Sequence, residues 1–207
     1  RAGNVRRGSQ MSALFPRWTN AVAQWTLVAT VATCICVPLL LMVWVRTSFA
    51  TGEHATVTQP IPFDHRVHAH ALHIDCEFCH SSVERAATAG IPPTVACVGC
   101  HNAALIESKT FAPVRASLDA QKPIVWQRVN ALPDFVFFNH SIHVTKGVTC
   151  ETCHGRVDAM ARVEQAAPMS MGWCVNCHRD PASHAGQQVM VAPDVAKRLT
   201  NCTTCHR

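Results

Sequence analysis

Residues 138–154 read Phe138-Asn139-His140-Ser141-Ile142-His143-Val144-Thr145-Lys146-Gly147-Val148-Thr149-Cys150-Glu151-Thr152-Cys153-His154. Two chemical patterns meet in this stretch: a pair of histidines three apart, and a Cys-x-x-Cys-His run. The second pattern occurs five times, at Cys76-Glu-Phe-Cys79-His80, Cys97-Val-Gly-Cys100-His101, Cys150-Glu-Thr-Cys153-His154, Cys174-Val-Asn-Cys177-His178 and Cys202-Thr-Thr-Cys205-His206. Cys-x-x-Cys-His is the attachment pattern of c-type haem. The two thiols bond to the porphyrin and the adjacent histidine binds the iron from the proximal side. Zinc sites and redox dithiols also use Cys-x-x-Cys, but neither gives a reason for a histidine directly after the second cysteine every time. The chain is therefore expected to carry five covalent c-type haems. Their proximal ligands are His80, His101, His154, His178 and His206.

Outward from each double histidine the pattern repeats. Phe63-Asp64-His65-Arg66-Val67-His68 stands before Cys76 as Phe138-Asn139-His140-Ser141-Ile142-His143 stands before Cys150, with eleven residues from His65 to Cys76 and ten from His140 to Cys150. A second attachment site follows the first by 21 residues in one copy and 24 in the other. This is an internal duplication of a two-haem unit, over 61–102 and 136–179, with the fifth site ending the chain. Histidines at i and i+3 share one face of a helical turn and can point at two neighbouring rings. His65, His68, His140 and His143 are thus expected distal ligands. Spacing leaves the fifth distal ligand open between Met171 and His184, with His70 and His73 as further candidates. A thioether in that place would raise the potential of its haem.

The remaining two cysteines, Cys34 and Cys36, lie in a 28-residue uncharged run from Trp18 to Val45. A helix of this length reaches across a hydrocarbon core of roughly 30 Å. Trp18, Trp25 and Trp44 lie towards its ends, where indoles favour the interface. The run is too long for a signal peptide and no small-residue cleavage site follows it. Residues 1–46 hold five arginines and no acid, leaving 13 basic and 13 acidic side chains for the rest. Four of those arginines precede the helix, so residues 1–17 are expected in the cytoplasm and everything after about residue 47 in the periplasm or outside. Covalent haem attachment takes place in that same compartment. The balanced charge of the remainder excludes a nucleic-acid-binding surface read from the overall basic charge.

The expected organisation is a cytoplasmic segment (1–17), a transmembrane helix (18–46), a polar tether (47–60) and a haem domain (61–207). The fold class is mostly helical and irregular, with short helices at the attachment sites and little or no β structure. Porphyrins supply much of the core.

Several stretches resemble one family in particular. They are Gln59-Pro-Ile-Pro-Phe-Asp-His65-Arg-Val-His68, Ala89-Gly-Ile-Pro-Pro-Thr94, Leu132-Pro-Asp-Phe-Val-Phe-Phe-Asn-His140-Ser-Ile-His143 and Met171-Gly-Trp-Cys174-Val-Asn-Cys177-His178-Arg179. Together they look like the membrane-anchored pentahaem cytochrome subunit of alternative complex III. They are also similar to the multihaem subunit of the quinone reductase complex. The resemblance implies a quinol-oxidising assembly with polytopic quinone-binding, iron–sulfur and monohaem cytochrome subunits, relaying electrons to a soluble periplasmic acceptor. It also implies distal ligation by His65, His68, His140 and His143. No residue of this chain is then expected to make or break substrate bonds. The alternative is a stand-alone membrane-anchored quinol dehydrogenase feeding a periplasmic reductase. Against it, Cys76-x-x-Cys79-His80 is followed by Ser-Ser-Val and not by a nearby methionine.

Overall fold

The computed structural model describes residues 15–16, 18–101 and 107–206. Of the expected cytoplasmic segment 1–17, all but Phe15 and Pro16 lie outside the described residues. The chain divides into two compact units, Arg1–Thr47 and Ser48–Arg207. In the first, a single helix α1 spans Trp18–Trp44 and runs through Pro38. It has no buried residue, and by length and composition it is able to cross a membrane.

The second unit is built of short helices joined by irregular chain. In order they are α2 (Ser48–Thr51), a π-helical turn (Arg66–Ala71), α3 (Cys76–Cys79), α4 (Val95–Cys100), α5 (Ala112–Asp119), α6 (His140–Thr145), α7 (Cys150–His154), α8 (Met171–Arg179), α9 (Pro181–Ala185), α10 (Pro193–Ala196) and α11 (Cys202–Cys205). Among the described residues there is no β-strand. Two isolated bridges, Glu53 with Gln165 and Thr56 with Glu164, are the sole β pairing there.

Every Cys-x-x-Cys run is helical, because one turn puts residues i and i+3 on the same face and so aims both thiols one way. Two of these turns are started by a side chain that accepts a free N–H. The Asp75 carboxylate takes Glu77 N–H at 2.8 Å, and Ser170 Oγ takes Trp173 N–H at 3.3 Å. Termination is equally local. After His154 the chain turns at Gly155 with φ 65° and ψ −162°, a region open to glycine alone.

The apolar core is small. Among the described residues the buried hydrophobic ones are Ile61, Val83, Val114, Ala167, Ala185 and Val189, and of these only Val114 is below 2% exposed. Meanwhile Phe78, Val95, Phe135, Ile142 and Met171 are exposed. A domain of this length ordinarily buries about two thirds of its chain surface.

Residues 47–60, expected as a tether, are folded onto the second unit from Ser48 onward. Gln165, buried and polar, donates to the carbonyls of Thr51 at 3.2 Å and Ala167 at 2.9 Å. Its own carbonyl accepts His54 N–H at 2.8 Å, and His54 Nδ1 meets Glu164 at 3.0 Å. Further along, Gln59 exchanges two hydrogen bonds with the Gln127 backbone, at 2.8 and 2.9 Å. This second clasp holds the segment between the repeats, whose helix α5 contributes Val114 to the core.

Candidate haem-binding centre

The two double-histidine turns are built alike. Phe63 lies edge-on to His65 (centroids 4.8 Å apart, 81°) and stacks on His68 (4.2 Å, 23°). Phe138 does the same to His140 (4.7 Å, 85°) and His143 (4.6 Å, 28°). In each copy a phenylalanine two residues ahead of the first histidine is wedged between the imidazoles and sets their spread. Sequence reading passed over this role, although the matched Phe63 and Phe138 were its signal. The second turn is α-helical, capped by the Asn139 side chain, which accepts Ser141 N–H at 3.0 Å and Ser141 Oγ–H at 2.8 Å. The first is π-helical, with Leu72 N–H bonded to the Val67 carbonyl at 3.0 Å. A π-turn takes up one residue more than an α-turn. That accounts for the eleven-against-ten spacing to the attachment sites.

Each of these histidines meets a proximal one across the fold. His140 faces His154 with centroids 6.3 Å apart and rings 5° from parallel. His143 faces His178 at 6.1 Å and 25°, and His68 faces His101 at 6.1 Å and 52°. His65 lies near His80; burial and then the charge of His80 push the His65 pKa down. A metal–imidazole bond of about 2 Å on either side of one ion puts two ring centres about 6 Å apart. The separations therefore match a single iron held between two imidazoles.

The ring nitrogens point to the same use. A ligating histidine ordinarily donates its second N–H to a neighbouring oxygen, which leaves Nε2 bare for the metal. Here Nδ1 of His68 meets the Asp64 carbonyl at 2.9 Å, His80 the Gly90 carbonyl at 2.7 Å and His140 the Ala87 carbonyl at 2.8 Å. His143 meets the Asn139 carbonyl at 2.8 Å, His178 that of Leu199 at 3.0 Å and His206 that of Phe135 at 3.1 Å. His154 Nδ1 lies 3.2 Å from Asn130 Nδ2 while Asn130 Oδ1 is buried without a partner. Turning that amide over lets Asn130 Oδ1 accept the His154 Nδ1–H. Among the described residues, the buried Nδ1 of His65 and that of His101 meet no acceptor. Burial is the chief cause that lowers the pKa of His143 and His154, favouring the neutral imidazole that binds metal.

The fit to haem is thus made by three features: facing imidazoles, a thiol pair beside each proximal histidine, and exposed apolar side chains around a core too small for the chain. Among the described residues no three His, Cys, Asp or Glu side chains converge as a zinc or other mononuclear site would need.

The fifth site is the least complete. Phe135 stacks on His206 at 5.8 Å, but no histidine ring among the described residues faces it. His184 on α9 donates Nδ1 to the Asp180 carbonyl at 3.0 Å, the same four-residue return used by His68 and His143. Met171 opens α8 and is 71% exposed. His70 is engaged instead with Asp158 at 3.5 Å, and His73 holds a left-handed backbone with φ 52°.

Comparison with known proteins agrees with this chemistry. The family model for cytochrome c7 and related cytochrome c matches residues 136–207, which hold the second repeat and the fifth site. The multiheme cytochrome c subunit of menaquinone reductase from Nitratidesulfovibrio vulgaris is 29% identical over 155 residues, covering 72% of this chain and 67% of that protein. The histidine pairs, the recurring thiols and these matches lead to one conclusion: behind an apolar N-terminal helix, this chain forms a multihaem cytochrome c domain of short helices and irregular segments.

Proposed function

We propose that the chain is the electron-relay subunit of a quinol-oxidising membrane complex of the alternative complex III kind, holding five c-type haems on the periplasmic side of a single membrane anchor. The observation that carries this reading is the set of facing imidazoles supplied two at a time by His65/His68 and His140/His143. A turn that ligates two irons at i and i+3 holds them at one separation, which suits electron transfer and serves no bond-making step. A c-type haem supplies reversible one-electron chemistry when bound. The protein's part would be to hold iron between facing imidazoles, to leave Nε2 free for it through the Nδ1 hydrogen bonds, and to set the spread of each histidine pair with Phe63 and Phe138. His65 and His80, His68 and His101, His140 and His154, and His143 and His178 form four ligand pairs. His206 holds the fifth, with Met171 or His184 opposite.

Support for a quinone-linked assembly comes from the similar menaquinone reductase subunit and from the helix Trp18–Trp44. The partners are then polytopic quinone-binding subunits, an iron–sulfur subunit, a monohaem cytochrome and a soluble acceptor. That relative, a subunit of a menaquinone reductase, favours a second reading, in which electrons run towards quinone.

The test is to extract native membranes in mild detergent, separate complexes on a native gel, stain for covalent haem and identify every protein in the stained band by mass spectrometry. Co-migration with polytopic and iron–sulfur proteins is expected. A band holding this chain alone, or with one periplasmic reductase, overturns the reading in favour of a self-sufficient quinol dehydrogenase. Quinol-driven haem reduction in the isolated complex separates the two directions of flow.

A further inference from the structure

Five attachment sites in one chain can be strung together in many orders, and the order decides which two are the ends. We infer that they line up in space as Cys97–Cys100, Cys76–Cys79, Cys150–Cys153, Cys174–Cys177, Cys202–Cys205, so that the first site in the sequence is the second in the row and the second site is one end. This rests on the five-haem reading above.

The junctions can be taken one at a time. The first two sites are tied by a single turn: His68 faces His101, and His65, three residues before it, holds the place that His140, facing His154, holds in the other copy. The third and fourth sites are tied in the same way by His140 and His143.

The join between the two repeats is made by the Cys76 site and not by its neighbour in the sequence. His140 donates both its backbone N–H (3.1 Å) and its Nδ1–H (2.8 Å) to the carbonyl of Ala87, seven residues after His80. Ser141 N–H reaches the Ala86 carbonyl at 3.3 Å. The distal turn of the third site is thereby seated on the chain leaving the first. Among the described residues, no hydrogen bond or ring contact joins Cys97, Cys100 or His101 to the second repeat.

The last junction joins the fifth site to the second repeat. His178 Nδ1 bonds the Leu199 carbonyl three residues before Cys202, and the Cys205 carbonyl accepts Phe137 N–H at 2.8 Å, just ahead of His140. The two ends of the row, where electrons enter and leave, are then the Cys97–Cys100 and Cys202–Cys205 sites.

Two measurements on the full chain in its native complex test this, after the covalent haems have been counted by intact mass. Electron cryo-microscopy should show the Cys150–Cys153 haem flanked by those of Cys76–Cys79 and Cys174–Cys177; a Cys97–Cys100 haem beside it overturns the order. In redox titration, H68M and H65M each raise one haem to the top of the potential range. Once reduced, that haem lowers the midpoints of its immediate neighbours by charge repulsion. H68M should lower one other midpoint and H65M two. The reverse counts mean that the row follows the sequence, and the order proposed here fails. A mass showing fewer than five haems overturns the five-haem reading, and the same neighbours still decide the order among those present.

Discussion

Replacing Asn139 by alanine should weaken the second double-histidine turn by an amount that can be worked out beforehand. Helix α6 is six residues long, His140–Thr145, and carries the two proposed ligands, His140 and His143, on one face of a turn. So short a helix has no stability of its own and relies on its cap and on packing. The Asn139 side chain accepts two hydrogen bonds, from Ser141 N–H at 3.0 Å and Ser141 Oγ–H at 2.8 Å. Loss of an Asn cap costs about 1 kcal/mol, with a spread of about 0.5–2. At about 1–3 kcal/mol per molar urea, this moves an unfolding midpoint down by roughly 0.3–1 M. N139D keeps an acceptor in the same place and should leave the midpoint unchanged. The assay is urea titration of the ferric, haem-loaded chain, followed by the low-spin Soret band, which is lost when His140 or His143 leaves iron. An N139A midpoint equal to wild type would refute the cap as the support of the ligand turn. So would N139D falling as far as N139A, since the backbone carbonyl that holds His143 is common to all three proteins.

Four further outcomes follow from the same structure. A Cβ on Gly155 would stand 2.8 Å from the Ala166 Cβ at φ +65°, whereas one on Gly172 meets nothing within 4 Å; G155A should therefore lower stability by about 1–3 kcal/mol in a thermal melt while G172A stays within about 1 kcal/mol of wild type. If Met171 ligates the fifth iron, the near-infrared sulfur–iron band of the oxidised protein disappears in M171L; if His184 does, the band is absent from wild type and H184A alone converts one haem to high spin. Asp158, hydrogen-bonded first of all to Arg156, is held at about 2, below its ordinary 3.8; a depressed folded value adds stability above the unfolded pKa and loses it as pH falls, so wild type should lose urea resistance between about pH 4 and pH 2 that D158N never had. Q165A removes the buried amide that ties Thr51 to Ala167 and should open residues 48–56 to limited proteolysis with the haem spectrum unchanged.

Much of the chemistry lies in adjacent residues and could be read without a fold. Cys-x-x-Cys-His makes one helical turn wherever it sits, and the histidine pairs at i and i+3 share a face by helix geometry alone. The uncharged run and the arginines before it mark the anchor in the same local way. Even the extra residue between His65 and Cys76 was visible as a count; that it would be stored as a π-turn was not.

What the tertiary structure decided is which of these local pieces meet. His140 faces His154 and His68 faces His101 through loops whose closure depends on packing over the whole unit. The partners that orient the rings are mostly backbone carbonyls, of Asp64, Ala87, Gly90, Asn139, Leu199 and Phe135. Every residue carries a carbonyl, so nothing in the identity of Ala87 or Leu199 announces the role. The seating of His140 on Ala87, and with it the order of the five sites, is a property of the folded chain because it is made by groups that all residues share.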